Sequence, residues 1–228
     1  LLFEERKGGY WALAGVGAML TPGVYPLELA CTEAETGDVL TMSETFTVTA
    51  GSFPRYNIVV PASREGLLEP DLVETERERV TEVFSGVTSE KQWEGAFDLP
   101  LTGEFRNNAP FGQRRSYNGG PFSSYHSGHD FGVDKGEPVV APAAGTGGRA
   151  APPTVPGTVV ILDPGLGVFS GVWHLSQIDA TVGQQVGRGD VVGLVGNPGR
   201  STGPHLHWEM RVHGVPVDPL QWTRRAFP

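Results

Sequence analysis

The chain has 228 residues, which is long enough for one large domain or two small ones with real hydrophobic cores. Its formal net charge of -9 argues against nucleic acid as a partner, because phosphate binding needs a basic surface. Cys31 is the only cysteine, so an intramolecular disulfide is excluded. The chain has no long apolar run and no basic segment leading into one, so we expect neither a membrane span nor a signal peptide within it.

Glycine and proline indicate the fold class. The 32 Gly and 19 Pro residues, with few windows of helical apolar spacing, predict short strands joined by turns, and hence a mostly β protein. In the first 60 residues, apolar and polar residues alternate in four runs, at 10–16, 23–29, 44–49 and 56–60. This spacing predicts an N-terminal immunoglobulin-like β-sandwich over residues 1–65. The region contains no histidine and is interpreted mainly as scaffold, although a binding or positioning role stays open.

The residue pattern changes from strand-like alternation to helical spacing after this region. Residues 66–92 are predicted to form a linker that contains a helix from Glu69 to Phe84. One face of this helix carries the apolar side chains, and acidic and basic residues cover the rest. The apolar residues that share this face are Leu72, Val73, Val80, Val83 and Phe84. We interpret the charged face as solvated rather than as an interaction surface, and the helix as a bridge between two halves.

Two histidines one residue apart, His205 and His207, lie in the segment STGPHLHWE, which has the pattern of a strand. Residues i and i+2 of a strand project from the same face, so both imidazoles should face one site, which indicates a metal. Further candidate ligands are His126 and Asp130, spaced H-x-x-x-D in YHSGHDFGVD. Two imidazoles and one carboxylate suit zinc and leave a coordination position open for water, as in catalytic sites. His174, in GVWHLS, is another candidate site residue.

A family resemblance emerges when these motifs are read in order from about Phe105 to Pro219. They are FGQRRSYNGG, YHSGHDFGVDKGEPVVAP, WHLSQI and GQQVGRGDVVGLVGNPGRSTGPHLHWEMRVHGVPVDP. Together they resemble the lysostaphin/LytM-type zinc metallopeptidases, secreted or envelope enzymes that hydrolyse peptide bonds of bacterial peptidoglycan. The resemblance implies a C-terminal antiparallel β-sheet peptidase domain over residues 93–228 and an extracellular or cell-envelope location. It assigns Zn²⁺ binding to His126, Asp130 and His207, and catalysis to His174 and His205.

The function implied is a zinc-dependent endopeptidase that hydrolyses cross-links or stem peptides of peptidoglycan through a metal-activated water. No H-E-x-x-H helix is present, so imidazole should transfer the protons. The alternative is an inactive relative that binds peptidoglycan or activates another cell-wall hydrolase, but such relatives usually lack a ligand and this chain keeps the full set. A purely structural role for the histidines would require buried partners for each of them.

A carrier module of the lipoyl or biotin type is another alternative, because residues 181–190 resemble the hammerhead turn of those modules. Such a carrier needs a modifiable lysine at a hairpin tip, and Lys7, Lys91 and Lys135 are not placed there.

Pro164 stands where relatives of the lysostaphin/LytM type commonly carry histidine, so one contact to the substrate groove should be missing.

Three further residues near the motifs are interpreted separately. His129 should point away from the metal, because its neighbour Asp130 on the same strand points toward it. His213 is interpreted as a turn residue. For Arg114, contact with the substrate groove and pairing with an acid remain equally open.

Overall fold

The computed structural model describes the chain at residues 1–33, 35–61, 69, 71, 74–75, 78, 81–82, 84, 88–154, 157–196 and 204–228. It is mostly β, as predicted. The strands are β1 (Glu4–Arg6), β2 (Gly9–Trp11), β3 (Gly23–Thr32), β4 (Val39–Val48), β5 (Arg55–Ile58), β6 (Arg106–Ala109), β7 (Arg114–Tyr117), β8 (Ser124–Tyr125), β9 (His129–Gly132), β10 (Pro138–Val140), β11 (Gly145–Thr154), β12 (Gly157–Gly165), β13 (Val168–Ile178), β14 (Gln185–Val186), β15 (Val191–Val195), β16 (Leu206–Val212) and β17 (Val215–Val217). A helix, α1 (Pro219–Arg224), follows β17.

A ten-stranded antiparallel sheet forms the C-terminal part of the fold. Seven strands follow the order β14-β11-β12-β13-β16-β9-β6, while β15 pairs with β10 and β13, and β17 pairs with β16. Strand β16 lies between β13 and β9, so its side chains are surrounded by neighbours on both edges. The predicted antiparallel sheet is thus present, and β16 is one of its central strands.

Strand β16 shows how the sequence builds this sheet. Its even-numbered side chains are buried in the main hydrophobic core, as their alternation with polar residues predicts. They are Leu206, Trp208, Met210 and Val212. Each such side chain contributes about 1.5–3 kcal/mol when fully removed from water. The odd-numbered residues therefore project from the opposite face, and these include His207.

A smaller apolar cluster covers part of that opposite face. Phe84 packs edge-on against Phe169 and lies beside Trp173, and Val159 and Ile161 complete the cluster. Just beyond Phe84, the Thr88 backbone N–H and hydroxyl both donate to Asp163 Oδ2, at 3.0 and 2.7 Å. The chain leading into the C-terminal sheet is therefore fixed to the β12–β13 hairpin.

The predicted immunoglobulin-like sandwich is not confirmed. Within residues 1–33 and 35–61, β1 pairs with β2, β3 pairs with β4, and β5 joins a different sheet by pairing in parallel with β7. The two ten-residue strands β3 and β4 have no buried residue, so no second sheet covers them as a sandwich requires. The alternation that suggested a sandwich is shared by an exposed hairpin, because both have the same period of two.

The first half of the chain also packs directly on the C-terminal sheet. Leu2, Trp11 and Leu13 lie against the main core, and a side chain at Gly15 would collide with Val215. The predicted division at residues 1–65, 66–92 and 93–228 stays a prediction, and these contacts cross it.

The linker helix from Glu69 to Phe84 falls largely outside the described residues. The described positions between 71 and 82 are helical, namely Asp71, Glu74, Thr75, Glu78, Thr81 and Glu82. The extent of the helix and its apolar face, apart from Phe84, stay predictions.

Trp11 and Tyr10 offer a matched test of this packing, because they are adjacent and Tyr10 is 74% exposed. We expect Trp11→Ala to lower the free energy of unfolding by about 2 kcal/mol or more, since it removes a large partly buried side chain from the core. Tyr10→Ala should change it by less than about 0.5 kcal/mol. Urea denaturation of the two variants measures both values, and equal effects would contradict the packing.

Candidate metal centre

Asp130 and His207 face one site because of strand pairing. Antiparallel β9 and β16 place these two residues directly opposite each other, so their side chains project from the same face. On the other face of the same strands, Trp208 opposes His129, and Leu206 opposes Phe131. The alternation predicted for the H-x-H segment is therefore correct, with Leu206 and Trp208 in the core.

His126 reaches the site from the segment before β9. Its backbone N–H donates to Gln113 O at 2.9 Å and its carbonyl accepts from Gly112 N at 2.8 Å, so the segment is pinned to the neighbouring loop. The side chain is 2% exposed. Gly128 makes the approach possible, since a Cβ there would lie 2.3 Å from Trp208 O and 2.8 Å from the His207 ring.

Three ligand-type atoms meet at this point: His126 Nε2, Asp130 Oδ1 and His207 Nδ1. The two nitrogens are 2.9 Å apart, and they lie 3.0 and 2.8 Å from Asp130 Oδ1 respectively. Among the described residues these three form a group able to hold a metal ion. Two ligands bound to zinc at about 2.0–2.1 Å with a tetrahedral angle lie roughly 3.3 Å apart, so the spacing fits with a small expansion.

The outer ring nitrogens identify the tautomers. His126 Nδ1 is 3.1 Å from Pro110 O, a carbonyl that can only accept, so this nitrogen carries the proton. His207 Nε2 is 3.4 Å from Glu209 Oε2 and donates to that carboxylate. Both inner nitrogens are then free to present lone pairs, which is how protein metal sites fix their imidazoles.

The electrostatics of the cluster follow from burial and from these contacts. Burial lowers the pKa of His126 to about 4. Burial also acts to lower the pKa of His207, but hydrogen bonds to Asp130 and Glu209 outweigh it and raise that pKa to about 9. For Asp130, burial acts to raise the pKa, yet the hydrogen bonds from His126 and His207 hold it well below its ordinary value. Without a metal, the charge of Asp130 is thus balanced by a proton on His207.

Glu209 was not singled out from the sequence. Its buried carboxylate accepts from Ser127 Oγ at 2.6 Å and from Arg211 Nε, in addition to His207 Nε2. Burial acts to raise its pKa, but Arg211 and these hydrogen bonds lower it to about 2. The sequence did contain a signal for Glu209, because His207, Glu209 and Arg211 have the i, i+2, i+4 spacing that puts them on one strand face.

His205 lies at the rim of the cluster. Its Nε2 is 4.0 Å from Asp130 Oδ1, and its side chain is partly buried. It lies outside the group of three that can hold a metal. His174 lies next to it, with ring centroids 4.6 Å apart. The structure therefore brings all five predicted site residues together, and their chemical roles stay predictions.

His174 reaches this position through a β-bulge. Thr158 and Val159 of β12 pair with Leu175 and Trp173 of β13, so His174 is an extra residue between two paired positions. Its φ of 68° lies in the left-handed region, which costs about 1–3 kcal/mol for a non-glycine residue. Trp173 already faces the site opposite His207, and the bulge lets its neighbour face the same site.

The remaining residues that the sequence analysis considered lie elsewhere. His129 points away from the metal group, as predicted, and its Nε2 is 2.9 Å from Asn107 Oδ1. Arg114 fits neither alternative, because its guanidinium donates to Ala18 O at 2.9 Å and lies over the Phe53 ring. His213 occupies the β16–β17 turn with a φ of 47°. Pro164 lies in β12, where its carbonyl accepts from Gln92 N.

The antiparallel sheet thus carries a group of two histidines and one carboxylate that is able to hold a metal ion. Residues 124–219 match the family model described as Peptidase family M23. With a relative described as a peptidase of the same family that is 31% identical over the whole chain, this match shows that the chain belongs to the family. The lysostaphin/LytM-type resemblance is thereby confirmed. Among the described residues, no helix has the length and apolar character needed to cross a membrane.

Known proteins extend this match. A Pseudomonas aeruginosa protein described as a peptidase of family M23 is 31% identical, with a TM-score of 0.70 covering 100% of this chain and 85% of that one. A zinc-containing peptidase from Vibrio cholerae is 30% identical, with a TM-score of 0.51 over 56% of this chain and 40% of that one. Peptidoglycan DD-endopeptidase ShyA of Vibrio cholerae is 34% identical over 122 residues, 54% of this chain and 28% of ShyA. The chain thus spans little more than a quarter of this relative.

Removal of one ligand should abolish tight zinc binding. We expect Asp130→Ala and His207→Ala to lose zinc under mild chelation, because two remaining ligands cannot hold the ion in competition with a chelator. His129→Gln is the matched control, since it replaces a buried histidine that faces away from the site and can still bond Asn107. Metal analysis after dialysis checks this, and full zinc occupancy in Asp130→Ala would show the ligand assignment to be wrong.

Zinc binding should also release a proton. Below a pH of about 9, His207 of the metal-free protein is protonated, and the metal displaces that proton. The apparent affinity should therefore rise about tenfold per pH unit between pH 7 and 8.5. Calorimetric titration in two buffers of different ionisation enthalpy counts the released protons, and a value near zero at pH 7.5 would contradict a protonated His207.

Proposed function

We propose that this protein is a zinc-dependent endopeptidase that hydrolyses cross-links or stem peptides of bacterial peptidoglycan. The observation that carries the proposal is the largely buried group of His126 Nε2, Asp130 Oδ1 and His207 Nδ1 within 2.8–3.0 Å of one another, with two further imidazoles beside it. The family match and the names of relatives support a peptidase acting on peptidoglycan.

The proposed metal ligands are His126, Asp130 and His207. Two neutral imidazoles and a carboxylate are the donor set of many catalytic zinc sites. Bound zinc would supply Lewis acidity, polarising a carbonyl and lowering the pKa of a coordinated water toward about 7. Pro110 O and Glu209 hold the two imidazoles in the required tautomers, so the chain itself prepares the site.

His205 and His174 are the proposed proton-transfer residues. His205 presents Nε2 toward the ligand group at 4.0 Å from Asp130 Oδ1, and His174 lies against His205. One imidazole takes a proton from the attacking water as its oxygen bonds to the scissile carbonyl carbon. The other donates a hydrogen bond to the carbonyl oxygen as negative charge develops there. The C–N bond then breaks, and the leaving amine takes up a proton from the imidazole that acted as base.

Peptide bonds between D-amino-acid-containing stems are the favoured substrate over glycine bridges. ShyA is named a DD-endopeptidase, and it is 34% identical to this chain over 122 residues. Such a substrate also favours action in the cell envelope or outside the cell. Digestion of purified peptidoglycan followed by mass analysis of the fragments distinguishes the two bonds, and absence of any released peptide from zinc-loaded protein would contradict the proposal.

The second candidate is an inactive relative that binds peptidoglycan or activates another hydrolase. No specific observation favours it, because the five site residues converge with their rings and carboxylate within reach of one another. The same digestion tests it, since an inactive relative would bind peptidoglycan and leave it intact.

Loss of either imidazole beside the ligand group should reduce hydrolysis without removing zinc. We expect His205→Ala and His174→Asn each to lower kcat/KM by about 10²–10⁴, the usual size of such contributions. Asn is chosen at 174 because it tolerates the left-handed backbone found there.

Zinc content and hydrolysis of a peptidoglycan peptide are measured on the same samples. Near-wild-type turnover in either variant would contradict the proposed role. Zinc loss in His205→Ala as large as in His207→Ala would assign His205 to the metal instead.

A further inference from the structure

The two carboxylate oxygens of Asp130 have different neighbours. Oδ1 contacts both ligand-type nitrogens, His126 Nε2 at 3.0 Å and His207 Nδ1 at 2.8 Å. Oδ2 instead faces the guanidinium of Arg115, whose Nη2 is 3.5 Å away. The carboxylate is therefore divided, with one oxygen directed to the metal group and the other directed to a fixed positive charge.

Arg115 reaches Asp130 from the middle strand of a second, three-stranded sheet. Strand β7 lies between β5 and β8, and Arg115 is in register with Tyr56 on one side and Ser124 on the other. Its side chain is only 21% exposed. Among the described residues, its Nε is buried without a hydrogen-bond partner. The ion pair of its Nη2 with Asp130 therefore accounts for the position of the guanidinium.

Strand alternation separates the two neighbouring arginines. Arg114 projects from the other face of β7, where it bonds Ala18 O and lies over Phe53. Only Arg115 faces the metal group. A guanidinium is planar and permanently charged, which lets it hold a carboxylate in one orientation better than a lysine can.

The first half of the chain holds β7 in place. Strand β5 pairs with it in parallel, and Asn57 Oδ1 accepts from Ser116 Oγ at 2.7 Å and from Gly119 N at 2.8 Å. Asn118 Oδ1 in turn accepts from Val60 N at 2.8 Å. The strand that carries Arg115 is thus fixed to residues that lie far earlier in the sequence than every ligand.

We propose that Arg115 is a positioning residue that holds Asp130 Oδ2, so that Asp130 offers Oδ1 alone to the ion. This inference rests on the zinc site proposed above. Without this contact the carboxylate turns freely, so metal binding has to order it, which weakens binding. A freely turning carboxylate is also able to bind with both oxygens and occupy the position that water needs. The charge of Arg115 has the opposite effect on affinity, because a cation near a metal ion repels it. Loss of the positioning contact lowers zinc affinity, whereas loss of the positive charge raises it. The measured zinc affinity of an Arg115 variant therefore distinguishes the two effects.

The test measures zinc affinity of the full chain by competition with a chelator. In Arg115→Met and Arg115→Gln we expect affinity to fall about 10–100-fold, the usual cost of losing an outer partner of a metal ligand. Arg115→Lys should bind at least tenfold more tightly than Arg115→Met, because an ammonium can still pair with Oδ2. Arg106→Gln, which removes an exposed cation from β6, is the charge control and should stay within about twofold of wild type.

A second readout reports on geometry. The visible absorption of the cobalt(II)-loaded protein should change in intensity in Arg115→Met, since a second carboxylate oxygen raises the coordination number, and should return toward wild type in Arg115→Lys. Thermal unfolding of the metal-free variants establishes that they are folded, and if one of the Met and Gln variants fails to fold, the other carries the test.

The outcomes separate this inference from the proposed function. Unchanged or tighter zinc binding in the folded Met or Gln variant overturns the positioning role, and so does an Arg115→Lys protein that binds no better than Arg115→Met. Failure of the wild-type chain to bind zinc at all overturns the proposed function first, and the inference with it.

Discussion

Three atoms with lone pairs, His126 Nε2, Asp130 Oδ1 and His207 Nδ1, lie within 3.0 Å of one another in a largely buried site. Such an arrangement repels itself unless a cation or a shared proton lies between the atoms, because burial removes the water that would otherwise screen them. In the metal-free protein the proton of His207 fills this need. The surrounding contacts, from Pro110 O to Glu209, are directed at keeping the two inner nitrogens available.

A few structural features of the fold bring these three atoms together. Antiparallel pairing of β9 with β16 brings two of the proposed ligands, Asp130 and His207, together at once, since opposite residues share a face. Gly128 lets the His126 segment come close, and the bulge at His174 brings a fourth imidazole to the same face. Arg115 approaches from a separate sheet that includes β5 of the first half. The site therefore depends on parts of the chain that are more than 100 residues apart.

The sequence predicted the site best where a single strand determines which side chains face it. Alternation from His205, which lies just before β16, to Trp208 correctly separates His205 and His207 from Leu206 and Trp208. The same rule directs His129 away from the site. These are local consequences of the pleat, so a single segment is enough to predict them.

Long-range pairing and backbone irregularity could not be predicted in this way. The parallel contact of β5 with β7 joins segments that carry no signal for each other, and the alternating runs of the first half fit a sandwich as well as a hairpin. The bulge at His174 has no signature either, since a histidine rarely adopts a positive φ. Glu209 belongs to no ligand motif of the sequence, and only its position two residues after His207 places it on the same strand face.

The β3–β4 hairpin contrasts with the ligand strands. Ten residue pairs join its two strands, yet none of its residues is buried, and Val24, Val39 and Leu40 are each more than 60% exposed. Isolated two-stranded hairpins are marginally stable in water. Its amides should therefore exchange with solvent through local opening at a small fraction of the free energy that protects β16. On a hydrogen-exchange map, the amides of the ten-stranded sheet would exchange slowly and those of the β3–β4 hairpin would exchange fast.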